Sequence, residues 1–182
     1  MKFLTKNKKV FIAAGALAVF LLVKKKPKKI VTKKDFEKLN SEGNILSPIK
    51  GKLRVTSKFG NRIHPITKAP QFHNGADIVP AQYPILGAPI QASFDGVVEK
   101  VFSDNLSGNA IVVTSGAVRM GYAHLQKPST LKAGQQVKKG QILGYLGNSG
   151  RSTAPHLHLT MKIDNVLVDP VQTIKTLKES MA

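Results

Sequence analysis

A chain of 182 residues has room for one ordinary domain of about 100–150 residues plus an appendage. With no cysteine it excludes a disulfide framework and any thiolate metal site, and 42% apolar residues, 15 Gly and 10 Pro describe a compact, turn-rich domain rather than a disordered chain. The net charge of +18 is uneven, since residues 1–39 carry 12 Lys against Asp35 and Glu37; such an excess favours polyanionic surroundings without choosing among nucleic acid, anionic lipid and anionic polymers.

Residues 1–9 form a basic N-terminus with Lys2, Lys6, Lys8 and Lys9. Residues 10–23 are an uncharged apolar run of fourteen residues, closed by Lys24, Lys25 and Lys26. The run is short against a span of about 20 residues, but flanking lysines can snorkel to both interfaces, so it is expected to be a transmembrane segment. A cleaved secretory signal would need small residues after the run, and lysines stand there instead.

Residues 24–47 are lysine-rich and polar and read as a tether. Within them a short helix is predicted over 32–39, with Thr32 and Asp35 serving its first turn. From residue 48 to 170 the texture changes to short runs of Val, Ile, Leu and Phe broken by Gly, Pro, Asn and Asp, which predicts short antiparallel strands and an all-β domain. Strands are expected within 89–93, 96–102, 109–114, 118–124 and 141–146. Glycines 134, 140, 144, 147 and 150 are expected to supply positive-φ turns between them. Residues 171–182 form a C-terminal helix or tail, with Val171, Ile174 and Leu177 at helical spacing.

The candidate chemistry lies in the histidines, of which the chain has five. His73 and Asp77 are an even number of residues apart, so on an extended chain both side chains leave by one face and can share an ion. Gly75 between them allows the backbone to bend or approach closely. In residues 155–161, His156, His158 and Thr160 alternate with Leu157, Leu159 and Met161, which predicts a half-buried strand with a polar face. One histidine of that pair can bind metal while its neighbour handles protons.

His124 follows Tyr122 on another predicted strand, with Tyr122 on its face. Nitrogens from His73 and His158 and an oxygen from Asp77 would give one zinc ion per chain three ligands and leave a fourth tetrahedral position open, the arrangement of a catalytic site. Zinc would acidify water and polarise a carbonyl, so an amide could be attacked without a covalent enzyme intermediate. His124 and His156 are then left for proton transfer and charge stabilisation. His64, before Pro65, reads as a loop residue. There is no cysteine and no Gly-x-Ser-x-Gly elbow to supply a nucleophile.

Taken together, Phe59-Gly-Asn-Arg62, His73-Asn-Gly-Ala-Asp77, Gly87-Ala-Pro-Ile-Gln-Ala92, Asp95-Gly-Val-Val98, Tyr122-Ala-His-Leu125, Val137-Lys-Lys-Gly-Gln-Ile-Leu-Gly144, Gly147-Asn-Ser-Gly150 and Pro155-His-Leu-His158 resemble the lysostaphin-type, or LytM-domain, zinc endopeptidases. The resemblance runs from about residue 56 to 170. It implies zinc ligation by His73, Asp77 and His158, catalytic roles for His124 and His156, and a two-sheet antiparallel β fold of the duplicated hybrid motif type with a groove over the metal. It implies hydrolysis of peptide bonds in peptidoglycan stems or cross-bridges. Leu159 and Thr160 depart from the family, in which a Phe and an acidic residue more usually follow the second histidine.

A wall-cutting domain must face the wall, either from a bacterial envelope membrane or from the membrane of a lipid-containing phage virion. The richer lysine flank downstream of residue 23 argues for the opposite orientation by the positive-inside rule. The tether suits anionic lipid or wall polymers as partners. A catalytically silent module that binds wall or activates another hydrolase is the alternative. A lipoyl-type carrier, suggested by Met161-Lys-Ile163, leaves the histidines unexplained, and no nucleic acid is expected because neither a recognition motif nor interleaved aromatics are present.

Overall fold

The computed structural model describes residues 30, 32–63, 68–82 and 84–181; the expected membrane segment at residues 10–23 and His64 lie outside the described residues. Among the described residues, no helix is long and apolar enough to cross a membrane.

Helix α1 spans Lys33–Ser41. Thr32 starts it with a capping box: its hydroxyl accepts from the Asp35 N–H at 3.2 Å, and the Asp35 carboxylate accepts from the Thr32 N–H at 2.9 Å. The strands follow: β1 (Leu53–Ser57), β2 (Gly60–Ile63), β3 (Pro70–His73), β4 (Ala76–Pro80), β5 (Pro89–Gln91), β6 (Gly96–Asp104), β7 (Gly108–Ser115), β8 (Val118–Leu125), β9 (Gln136–Val137), β10 (Ile142–Tyr145), β11 (Leu157–Ile163) and β12 (Val166–Val168). Two short helices, α2 (Pro170–Thr173) and α3 (Lys175–Glu179), close the chain.

The fold is mostly β and antiparallel, but it is not two sheets. One eight-stranded sheet runs β1-β4-β11-β8-β7-β6-β9, with β12 beside β11, and two separate ribbons, β2–β3 and β5–β10, flank it. The short ribbons arise because Pro70, Pro89 and closely spaced glycines interrupt the pairing before a second broad sheet can form.

Alternation gives the large sheet two unlike faces. Ile78 of β4, Leu157, Leu159 and Met161 of β11, Met120 and Tyr122 of β8, and Ile111 and Val113 of β7 point into one core and are buried. Asp77, His158, Thr160 and Gly121 sit on the opposite face, which is the floor of a groove of about 530 Å³.

Residues 30 and 32–47, expected to be part of a tether, are instead part of the domain. Ile30, Phe36, Leu39 and Ile45 are buried in the same core, Ser115 Oγ donates to the Ile30 carbonyl, and Thr176 Oγ1 donates to the Ile45 carbonyl. Lysines spaced between these apolar residues conceal the burying face in composition. The C-terminal residues are two packed helices rather than one helix or a tail, because the extended backbone of Ile174 (ψ 112°) breaks them while Val171, Ile174 and Leu177 remain buried.

Candidate metal centre

Three strands and one ribbon bring the site together. Asp77 of β4 lies directly across from His158 of β11, and His158 lies across from Ala123 of β8, so neighbouring strands present the carboxylate, one imidazole and the approach to His124. His73 arrives differently from the way its spacing suggests. It ends β3, in the β2–β3 ribbon, and the chain bends at Asn74 and Gly75 before β4 begins, so His73 and Asp77 do not share one extended strand. They meet because of the bend, with His73 Nε2 at 3.3 Å from Asp77 Oδ1. Gly75 is needed there for closeness: an added Cβ would overlap the Leu159 carbonyl and lie 2.9 Å from the His158 ring.

His124 shows a second departure from simple alternation. Strict period two would place it on the face of Tyr122, yet Tyr122 is fully buried beneath the sheet while His124 lines the groove. A bulge explains the switch: the β7–β8 register shifts between Asn109 and Ile111, and His124 takes a left-handed backbone with φ 61°. His156 and His158 follow the predicted alternation and both reach the groove with Thr160. His156 itself precedes β11 and is held by an isolated bridge to Gly147.

The four histidines are oriented in one way. Each has one ring nitrogen beside a carbonyl oxygen, which can only accept, so that nitrogen is placed to donate. His73 Nδ1 donates to the Lys58 carbonyl at 2.8 Å, His124 Nδ1 to the Ser149 carbonyl at 2.8 Å, His156 Nδ1 to the Ala154 carbonyl at 2.8 Å, and His158 Nε2 to Asn74 Oδ1 at 3.2 Å. Ser152 Oγ also lies 3.2 Å from His156 Nδ1. The second nitrogen of each ring faces the groove, where it can give a proton to Asp77 or, without one, a lone pair to a metal ion.

For His73 and His158 those nitrogens converge. His158 Nδ1 is 2.8 Å from Asp77 Oδ1 and 3.1 Å from His73 Nε2, and all three donor atoms lie within 4.8 Å of one another. Three acceptor atoms aimed at one point in a half-buried site repel one another unless a cation sits among them, whether extra protons or a metal ion. An N,N,O set is also the donor chemistry that zinc accepts. The residues present therefore fit a metal ion.

Asp77 is well placed to remain a ligand. Burial raises a carboxyl, but hydrogen bonds from His158 and His73 and the fields of His156 and His158 outweigh it and hold Asp77 well below the usual carboxylate range. The Arg62 guanidinium lies 3.6 Å from Asp77 Oδ2, the oxygen turned away from the histidines, and also bonds Ser57 Oγ. His124 is pushed below its usual value by burial and by the His156 and His158 rings, against the Ser149 carbonyl and Asp77, which raise it. His156 Nε2 lies 3.5 Å from Asp77 Oδ1, and the His124 and His156 rings are 4.7 Å apart.

The sequence reading assigned no part to Arg62, Asn74 or the carbonyls of Lys58, Ala154 and Ser149. Arg62 and Asn74 stand within the quoted motifs, so their side chains could have been marked; backbone carbonyls leave no residue signal. The glycine series is also more than turns. Gly134, Gly140 and Gly150 have positive φ as expected, but Gly144 and Gly147 do not, and Gly147 instead lets the backbone pass against Leu125 and Gln126.

Residues 71–170 match the model of peptidase family M23. The chain is 42% identical over 113 residues to the peptidoglycan DD-endopeptidase ShyA of Vibrio cholerae, an alignment that takes in 61% of this chain and 25% of that protein. Its fold is similar to a zinc-containing peptidase from Vibrio cholerae, with a TM-score of 0.59 and 35% identity over 66% of this chain and 37% of the other. It is likewise similar to the catalytic domain of lysostaphin from Staphylococcus simulans, with a TM-score of 0.58 and 30% identity over 67% of this chain and 92% of the other. The chain spans about a quarter of the length of the curated relatives it matches.

Proposed function

The chain belongs to peptidase family M23, and from that membership we propose that it is a zinc-dependent endopeptidase that hydrolyses peptide bonds in peptidoglycan. The observation that carries the reading is the convergence of His73 Nε2, Asp77 Oδ1 and His158 Nδ1, with two further histidines on the same groove.

His73, Asp77 and His158 would hold the zinc. The chemistry such an ion supplies is Lewis-acid polarisation of the scissile carbonyl and a lowered pKa for water at that point. The rest falls to the chain's own side chains. His156 turns Nε2 toward the carboxylate, where it can take a proton from the attacking water. His124, held below its usual value first by burial, turns Nε2 to the groove; the departing amine needs the proton that His156 takes from water, and His124 can pass a proton to it or stabilise negative charge on the carbonyl oxygen only once Nε2 carries one. The Ser149 and Ala154 carbonyls keep both rings turned so that Nε2 faces the groove. Arg62 steadies the far oxygen of Asp77 and so leaves Oδ1 free for the ion.

The test is release of new amino termini from purified peptidoglycan by the full chain, with and without a chelator, beside His156→Ala. Wild type should release amines, chelation should abolish release, and the variant should lose about 10²–10⁴-fold in rate. One equivalent of bound zinc with no cleavage of several wall types would sink the catalytic reading and leave a silent wall-binding or activating module.

A further inference from the structure

Beyond the histidines the groove continues over the open face of the large sheet, and its lining becomes cationic. His158, Thr160 and Lys162 succeed one another on the groove face of β11, opposite Ala123, Gly121 and Arg119 of β8. At about 3.3 Å per residue, Thr160 lies roughly 7 Å and Lys162 roughly 13 Å along the strand from His158. On the other side, Gly121 is opposite Val112 of β7, and Val112 is opposite Lys100 of β6. Lys100 and Lys162 therefore stand on the same face of one sheet, three strands apart, and both line the groove, whose floor Gly121 keeps bare; a Cβ there would come within 2.5 Å of Thr160 Oγ1.

The charges of this reach are unbalanced. Arg119 is already neutralised by Glu99, through two hydrogen bonds of 2.5 Å. Lys100 and Lys162 make no salt bridge among the described residues, and the Lys100 ammonium lies 4.4 Å over the Phe102 ring. The nearby Asp104 feels the charge of Lys100 but is turned to accept the N–H groups of Leu106 and Ser107. Two ammonium groups lining one groove repel, and an anion held by both removes that repulsion.

We propose that this reach is a carboxylate subsite, in which Lys100 and Lys162 hold a carboxylate borne by the peptide substrate about two to four residues from the bond that is cut. The proposal rests on the peptidase reading and sharpens it: the substrate is an acidic peptide, cut at the metal centre and gripped by charge on one side of that point.

The probes are cross-linked stem-peptide dimers released from peptidoglycan, used as the free acids and after conversion of their carboxylates to amides with carbodiimide and ammonia. The full chain should cut the acids with a kcat/KM at least tenfold higher than the amides, through KM, with the preference shrinking as salt is raised. The Lys100→Gln/Lys162→Gln chain should cut both at the slower rate while its thermal unfolding stays unchanged. Retention of the full preference by that chain, or equal cutting of acids and amides by wild type, overturns the subsite and leaves the peptidase reading intact. Binding to His156→Ala is titrated in parallel. Tenfold tighter binding of the acids that disappears when both lysines are also changed, with no cleavage by wild type, upholds the subsite and overturns the peptidase reading instead.

Discussion

His124 joins a strained backbone to a perturbed side chain. It is 7% exposed and is held below its usual value first by burial, so in the metal-free chain the folded state resists its protonation. The unfolded chain binds that proton near the ordinary imidazole value of about 6.5, so stability from this residue is present above that pH and is lost as pH falls through it. The melting temperature of the metal-free protein should therefore drop between pH 7 and 5, and His124→Gln should show a shallower drop. An equal slope in the variant would mean that His124 titrates normally. The sequence marked this residue as chemically interesting by its type and neighbours. It could not show the left-handed backbone, because a bulge is set by the partner strand β7, far from His124 in the chain.

At the scale of elements, the loop 147–150 fixes the end of β8. The Ser149 carbonyl accepts from His124, and Ser149 Oγ donates to the Leu125 carbonyl at 2.7 Å and accepts from the Asn109 N–H at 3.0 Å. The loop sits so low because Gly150 and Gly108 press together, and a Cβ on Gly150 would overlap the Gly108 backbone. Gly150 also has φ 70°, where an alanine is strained. Gly150→Ala should cost at least about 1–3 kcal/mol by denaturant unfolding and should lower activity by displacing Ser149, although residue 150 touches no ring. Unchanged unfolding and turnover would show that the loop has room to shift. Turn glycines were legible from composition; that Gly147 and Gly150 work by permitting close approach was not, since only the folded neighbours define the space.

On the scale of the whole molecule, the domain begins earlier than its composition suggests. Ile30, Phe36, Leu39 and Ile45 each bury an apolar side chain worth about 1.5–3 kcal/mol, which together approach the net stability of about 5–15 kcal/mol of an ordinary domain. A fragment of residues 48–182 should therefore fail to give a cooperative melting transition, while residues 30–182 should melt like the full chain. A fragment starting at 48 that melts normally would show that α1 is an accessory. The same boundary shortens the tether. If residues 10–23 lie in a membrane, the six residues 24–29 hold the domain within about 20 Å of it.

By itself the sequence determined the elements whose cause is local. Period two wrote the polar face of β11 and its buried Leu157, Leu159 and Met161, Thr32 and Asp35 wrote the start of α1, and the lack of cysteine limited a metal site to imidazole and carboxylate. Tertiary structure decided the rest, because it depends on pairing between distant residues. It bent the chain at Gly75 so that His73 meets Asp77 from a different ribbon, turned His124 away from the face of Tyr122, drew α1 into the core, and brought Lys100 and Lys162 from distant strands to one groove. Alternation assigns a side chain to a face; only the register of neighbouring strands decides what it finds there.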